Sequence, residues 1–222
     1  MKQTKLTKKQ CKQFLKDHYK DCDDQYKKIG VLSKNAQYRI DHSIAVANIV
    51  KMIIKKNPDK FPDEELNKEF IKACILHDIA KMTNNEHHAE DAGIILMALG
   101  FSNDVIVPIT LHSIIKEKDC VDKKIRKNIS NYLLALQDAD IVSKYNIKSL
   151  IKSHDGVEDT LNVISRLINR LKTTDIYFHD AEILLEEGII EMIKYIEFTN
   201  SVDRFKNLFN TISEYTVKYY NR

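Results

Sequence analysis

Hydrophobic positions along the chain recur at three- and four-residue intervals, and no segment sustains the alternation of a strand. From Leu6 to about Ile29 the pattern predicts one or two polar helices ending near Gly30. Ser33 or Asn35 then offers a cap for a helix that runs to Lys56. Its apolar residues form two adjoining stripes, Ile40, Ile44, Ala47 and Ile54 beside Val46, Ile49 and Ile53, and Asn57–Pro58 stops it. Pro62, followed by Asp63, Glu64 and Glu65, predicts the next start, because proline and acids suit a first helical turn. That helix is expected to continue through Leu66, Phe70, Ala73 and Cys74 to His77.

A polar loop, Thr83 to Glu86, separates it from a helix over His88 to Leu99 that ends at Gly100. Another is expected from Asn103 to Ile115, with Pro108 kinking or breaking it. A charged loop over 116–124 leads to a long helix from about Ile125 to Tyr145. Beyond Leu150 the pattern predicts two to four amphipathic helices, with Asp155–Gly156 and Gly188 as interruptions.

Composition supports an all-α reading, since only five glycines and three prolines are available for turns in 222 residues. The expected organisation is a single globular domain: an N-terminal helical extension over 1–30, a core over 31–150, and C-terminal helices over 151–222 packed on that core. A net charge of +3, with Lys and Arg spread along the chain, argues against nucleic acid as a partner. Cys11, Cys22, Cys74 and Cys120 show no CxxC spacing and read as free thiols of a reducing compartment. The opening MKQTKLTKKQCKQF is basic but lacks the apolar core of a secretory signal. No window approaches the roughly 18 uncharged apolar residues of a membrane span. The expectation is a soluble, cytoplasmic protein.

Chemistry enters where polar residues fall on core-facing stripes. His42 continues the stripe Val46, Ile49, Ile53; His77 continues Leu66, Phe70 and Ala73 or Cys74; Asp140 continues Ile129, Leu133, Leu136. Asp78 follows His77 directly. Any one of these, taken alone, is more often a buried residue with a satisfied hydrogen bond. Together they change the balance, because a buried carboxylate is costly unless paired or metal-bound. Imidazole and carboxylate side by side suit Mn, Fe, Co, Ni or Zn.

The order His42 … His77–Asp78 … Asp140 resembles the H…HD…D signature of the HD-domain metal-dependent phosphohydrolases. RIDHSIAVA (Arg39 to Ala47), ACILHDIAK (Ala73 to Lys81) and ALQDADIV (Ala135 to Val142) are similar to the family's first, second and last motifs, and the likeness spans roughly 36–146. It implies an HD-domain helical bundle with the ligands projecting into a central cleft. HHAEDAG, His87 to Gly93, resembles the H-x-x-x-G-A segment of two-metal branches, with His88 in the ligand place and Ala92–Gly93 reversing the small pair. ITLHS places His112 where those branches carry a further ligand. The DAD triplet offers Asp138 and Asp140; the comparison favours Asp140, leaving Asp138 as an acceptor for a ligand histidine. His18, His154 and His179 have no partner pattern, and the second HD, His179–Asp180, is read as chance.

The resemblance implies one or two divalent ions (Fe, Mn, Co, Ni, Zn or Mg) and hydrolysis of a small phosphate ester or anhydride by metal-bound hydroxide, a nucleotide being the default substrate. Asp78 would be a ligand that also orients water, and Lys81 and Arg39 would contact phosphate. The plain alternatives are a lysine that complements a helix dipole and an arginine in an ion pair. No GxxxxGKS/T occurs, which argues against an NTP-driven motor or kinase, and no GYP occurs either. A second reading is a non-catalytic regulatory module that binds metal or nucleotide; a third is a helical scaffold without metal. The amphipathic C-terminal helices suit a homodimer.

Overall fold

The computed structural model describes residues 6–28, 36–113 and 130–220. The expected stops and caps at Gly30, Ser33 and Asn35, the charged loop over 116–124, Cys120, Ile115 and the start of the long helix at Ile125 lie outside the described residues. Among those described there are ten α-helices and no strand, the all-α architecture that the periodicity predicts. Contacts divide the chain into two compact units, Met1–Asp140 and Ile141–Arg222.

The first unit holds the helices that matter for chemistry. Helix α1 (Lys8–Lys28) buries the stripe Cys11, Leu15, Tyr19 and Cys22 and packs on α2 (Ala36–Lys56). Helix α2 buries Ile40, His42, Val46, Ala47, Val50, Ile53 and Ile54, so the histidine shares its face with the core. A 3-10 turn at Pro58–Lys60 follows, and Asp63 caps α3 (Glu64–Cys74) by accepting the Leu66 N–H at 2.9 Å. Helices α4 (His88–Ala98) and α5 (Asn103–Leu111) form a close pair, and α6 (Ser130–Ser143) carries the DAD triplet.

Three expectations are corrected. Helix α3 ends at Cys74, and His77 lies in a run of turns that continues to Thr83. There the backbone switches to bonds three residues back: Leu76 N–H to Ala73 O, Ile79 N–H to Leu76 O and Lys81 N–H to Asp78 O. The His77 ring competes for the Cys74 carbonyl, which Nδ1–H meets at 2.9 Å, so a side chain takes part in ending the helix. A spacing of three or four residues fits such turns as well as a helix, which is why the pattern ran on. Helix α5 passes through Pro108 without a break but stops at Leu111, leaving His112 as its C-cap.

Gly188 lies inside a helix. The second unit comprises α7 (Ile147–Ser153), α8 (Gly156–Arg170), a 3-10 turn at Leu171–Thr173, α9 (His179–Phe198) and α10 (Val202–Tyr220). Gly156, with φ +88°, does separate α7 from α8. At Gly188, by contrast, an added Cβ would stand 2.6 Å from the Tyr145 carbonyl oxygen, so the glycine lets α9 pack closely on the chain at Tyr145. No helix of the described residues is long and apolar enough to cross a membrane.

Candidate metal centre

Three structural elements deliver side chains to one place in the first unit. His42 comes from the first half of α2, His77 and Asp78 from the turns after α3, and Asp140 from α6. One donor atom from each lies within 4.8 Å of every other. A second group, meeting the same limit, joins Asp78 to His88, the first residue of α4, and His112, the C-cap of α5. Asp78 belongs to both groups. Its Oδ2 stands 3.8 Å from His42 Nε2, and its Oδ1 stands 3.8, 3.2 and 3.5 Å from Nε2 of His77, His88 and His112. Asp140 Oδ1 approaches His42 Nε2 at 3.0 Å and His77 Nε2 at 3.9 Å. Asp138 is buried but belongs to neither group.

Local backbone aims the rings. His77, His88 and His112 each donate Nδ1–H to the carbonyl three residues earlier, on Cys74 (2.9 Å), Asn85 (2.9 Å) and Ile109 (2.6 Å). A carbonyl can only accept, so these bonds put a proton on Nδ1 and turn Nε2 toward the cluster. These anchors are backbone oxygens, which residue types do not reveal.

Packing brings the elements together. Glu69 on α3 accepts from both the backbone N–H and the hydroxyl of Ser102, at 2.9 and 2.8 Å, and so ties down the start of α5. Gly93 lets α4 approach α5, since a Cβ there would stand 2.3 Å from Thr110 Oγ1. Gln137 on α6 donates to the His112 carbonyl at 3.2 Å, and Tyr132 donates to Asn67 Oδ1 on α3 at 2.7 Å.

Does a divalent cation fit? His77 Nε2 and Asp78 Oδ1 are buried without a hydrogen bond, an expensive arrangement for groups of this polarity. The donors are imidazole nitrogen and carboxylate oxygen, the set that suits first-row divalent metals. The residues fit the group.

The model of the HD domain family matches residues 39–195, most of the chain. The chain belongs to the HD-domain family. No curated protein and no solved structure matches it significantly. HD domains form a superfamily of metal-dependent phosphohydrolases, and the His/Asp cluster of this HD-domain protein could bind divalent metal.

Electrostatics of the HD-domain centre follow from burial set against charge. Burial alone pushes both histidine pKa values down. For His42 burial prevails over Asp140, and the value falls below the usual range. For His77 the carboxylates of Asp78 and Asp140 outweigh burial, and the value rises. Burial would raise Asp78, but His77 and the imidazoles of His112 and His88 hold its carboxyl well below the usual range. The cluster thus favours the ionised form of Asp78 and the charged form of His77.

Lys81 reaches into the same centre, its Nζ 2.8 Å from His88 Nε2 and 3.7 Å from Asp78 Oδ1. Arg39, one turn before His42, has a buried Nε without a hydrogen bond. His18 stays away from both groups, 3.6 Å from Cys22 Sγ. His154 bonds to the Leu150 carbonyl, and His179 pairs with Glu182 in the first turn of α9. Cys11, Cys22 and Cys74 are free and buried.

Proposed function

We propose that this HD-domain protein hydrolyses a small phosphate ester or anhydride, a nucleotide ahead of other substrates. The observation that carries the reading is the convergence of four imidazoles on a carboxylate, Asp78, that two donor groups share. His42, His77, Asp78 and Asp140 would hold one divalent ion, and Asp78, His88 and His112 a second. Bound there, such an ion supplies a Lewis acid for phosphoryl oxygens and lowers the pKa of coordinated water toward about 7.

The chain's own groups do the rest. Asp78, ionised and buried, orients the attacking water as an acceptor. Lys81 sits with its ammonium in the centre and only a quarter of its side chain exposed, placed to meet a phosphoryl oxygen as a point charge. Arg39, with its unbonded Nε, is a second donor for the same anion. The nucleotide preference follows from family likeness and the homodimer from the amphipathic C-terminal helices; both belong to this proposal.

The test is phosphate release by metal-loaded protein across a panel of nucleotides and p-nitrophenyl phosphates. Turnover that disappears in Asp78→Ala supports the hydrolase. Tight nucleotide binding without turnover under any metal would favour the regulatory module.

A further inference from the structure

Helix α1 precedes the stretch that matches the HD domain, yet it reaches that domain's centre. Tyr19, with no exposed surface, donates its phenolic O–H to the carbonyl of Asp78 at 2.5 Å. Tyr26, seven residues on and so on the same face of the helix, donates to the carbonyl of Met82. The Asp78 carbonyl also receives the Lys81 N–H at 2.8 Å, which closes the turn bearing both side chains. The two phenols therefore grip the two ends of the segment Asp78–Met82.

That segment is a run of turns, without the regular backbone ladder that holds a helix in place. It carries the carboxylate common to both donor groups and the lysine beside them. A small rotation of its peptides would swing Asp78 out of reach of His88 and His112 while leaving those histidines tied to their own carbonyls. Outside support for the segment has to come from a neighbouring element, and α1 provides it at both ends.

We propose that Tyr19 and Tyr26 are positioning residues, which fix the Asp78–Met82 backbone so that one carboxylate serves two ions. The proposal rests on the metal-centre reading above. A merely structural role, docking α1 onto the bundle, makes a different prediction. Tyr145 provides the comparison: its buried phenol also donates to a backbone carbonyl, that of Leu167 at 2.9 Å, but within the second unit.

The experiment titrates Mn(II) into full-length wild type, Tyr19→Phe, Tyr26→Phe and Tyr145→Phe. Free Mn(II) is read by electron paramagnetic resonance at a temperature where circular dichroism shows each variant folded. Tyr19→Phe is expected to weaken Mn(II) binding by about 10-fold or more, as loss of groups that orient ligands does. Tyr26→Phe should weaken it in the same direction, and it carries the test if Tyr19→Phe fails to fold. Tyr145→Phe should bind as wild type does even where its stability drops. Wild-type affinity in both α1 variants, or an equal loss in Tyr145→Phe, would overturn the positioning role. Wild type that binds no Mn(II) would instead overturn the metal-centre reading itself.

Discussion

Asp78 is the residue on which the centre turns, and its protonation links site to stability. Its folded carboxyl titrates well below its ordinary value, so above the unfolded pKa of about 4 the ionised form stabilises the fold. That contribution is lost as pH falls through the folded value. In the presence of chelator, wild type should therefore lose stability relative to Asp78→Asn as pH drops from 5 toward 2, and the urea midpoints of the two should converge. Midpoints that keep a constant separation over that range would contradict the charge balance assigned to this cluster. The identity of Asp78 as a metal-capable residue was readable from its place after His77. Its two-sided role was not, because nothing in spacing says that one carboxylate faces two groups of histidines.

At the scale of elements, the pairing of α4 with α5 decides whether the second donor group exists. Gly93 permits that pairing, and the added methyl of Gly93→Ala would meet Thr110 Oγ1. Thr110 is held by its own bond to the Ile106 carbonyl at 3.1 Å and is stiff at its branched carbon, so the helices must part. Overpacking of this kind costs about 1–3 kcal/mol. It outweighs the gain of up to about 1 kcal/mol from replacing a helical glycine with alanine. Gly93→Ala should lower the unfolding free energy and weaken the His88–His112 group more than the His42–Asp140 group, and a second change, Thr110→Ala, should restore both. Denaturant melts with Mn(II) stoichiometry check this. The helix positions themselves were largely legible, since amphipathic spacing follows from which face each helix buries. The misplaced end at His77 and the misplaced interruption at Gly188 have separate causes, side-chain competition for a carbonyl and a close backbone approach, and neither is written in hydrophobic spacing.

At the scale of the whole molecule, every donor of the proposed centre falls in Met1–Asp140. A cation that binds only the folded state stabilises it, by about 2.7 kcal/mol at one hundred times the dissociation constant. Saturating Mn(II) should raise the thermal midpoint and slow amide exchange in α2, α4, α5 and the turns from Ile75 to Thr83. Exchange in α8 and α10 should stay as it is in chelator, measured by mass spectrometry of peptic fragments. Uniform protection across both units, or none in the first, would count against a centre confined to these residues.

The amino-acid sequence by itself determined the all-α class, the approximate course of most helices and the order in which metal-capable side chains appear. These are local properties, set by periodicity, capping and residue chemistry. The tertiary structure alone decided that His42, His77, Asp78 and Asp140 meet, that Asp78 also joins His88 and His112, and that Tyr19 reaches the Asp78 carbonyl from 59 residues away. Those contacts depend on how helices pack and on backbone carbonyls, groups that every residue carries alike and that no pattern of side chains announces.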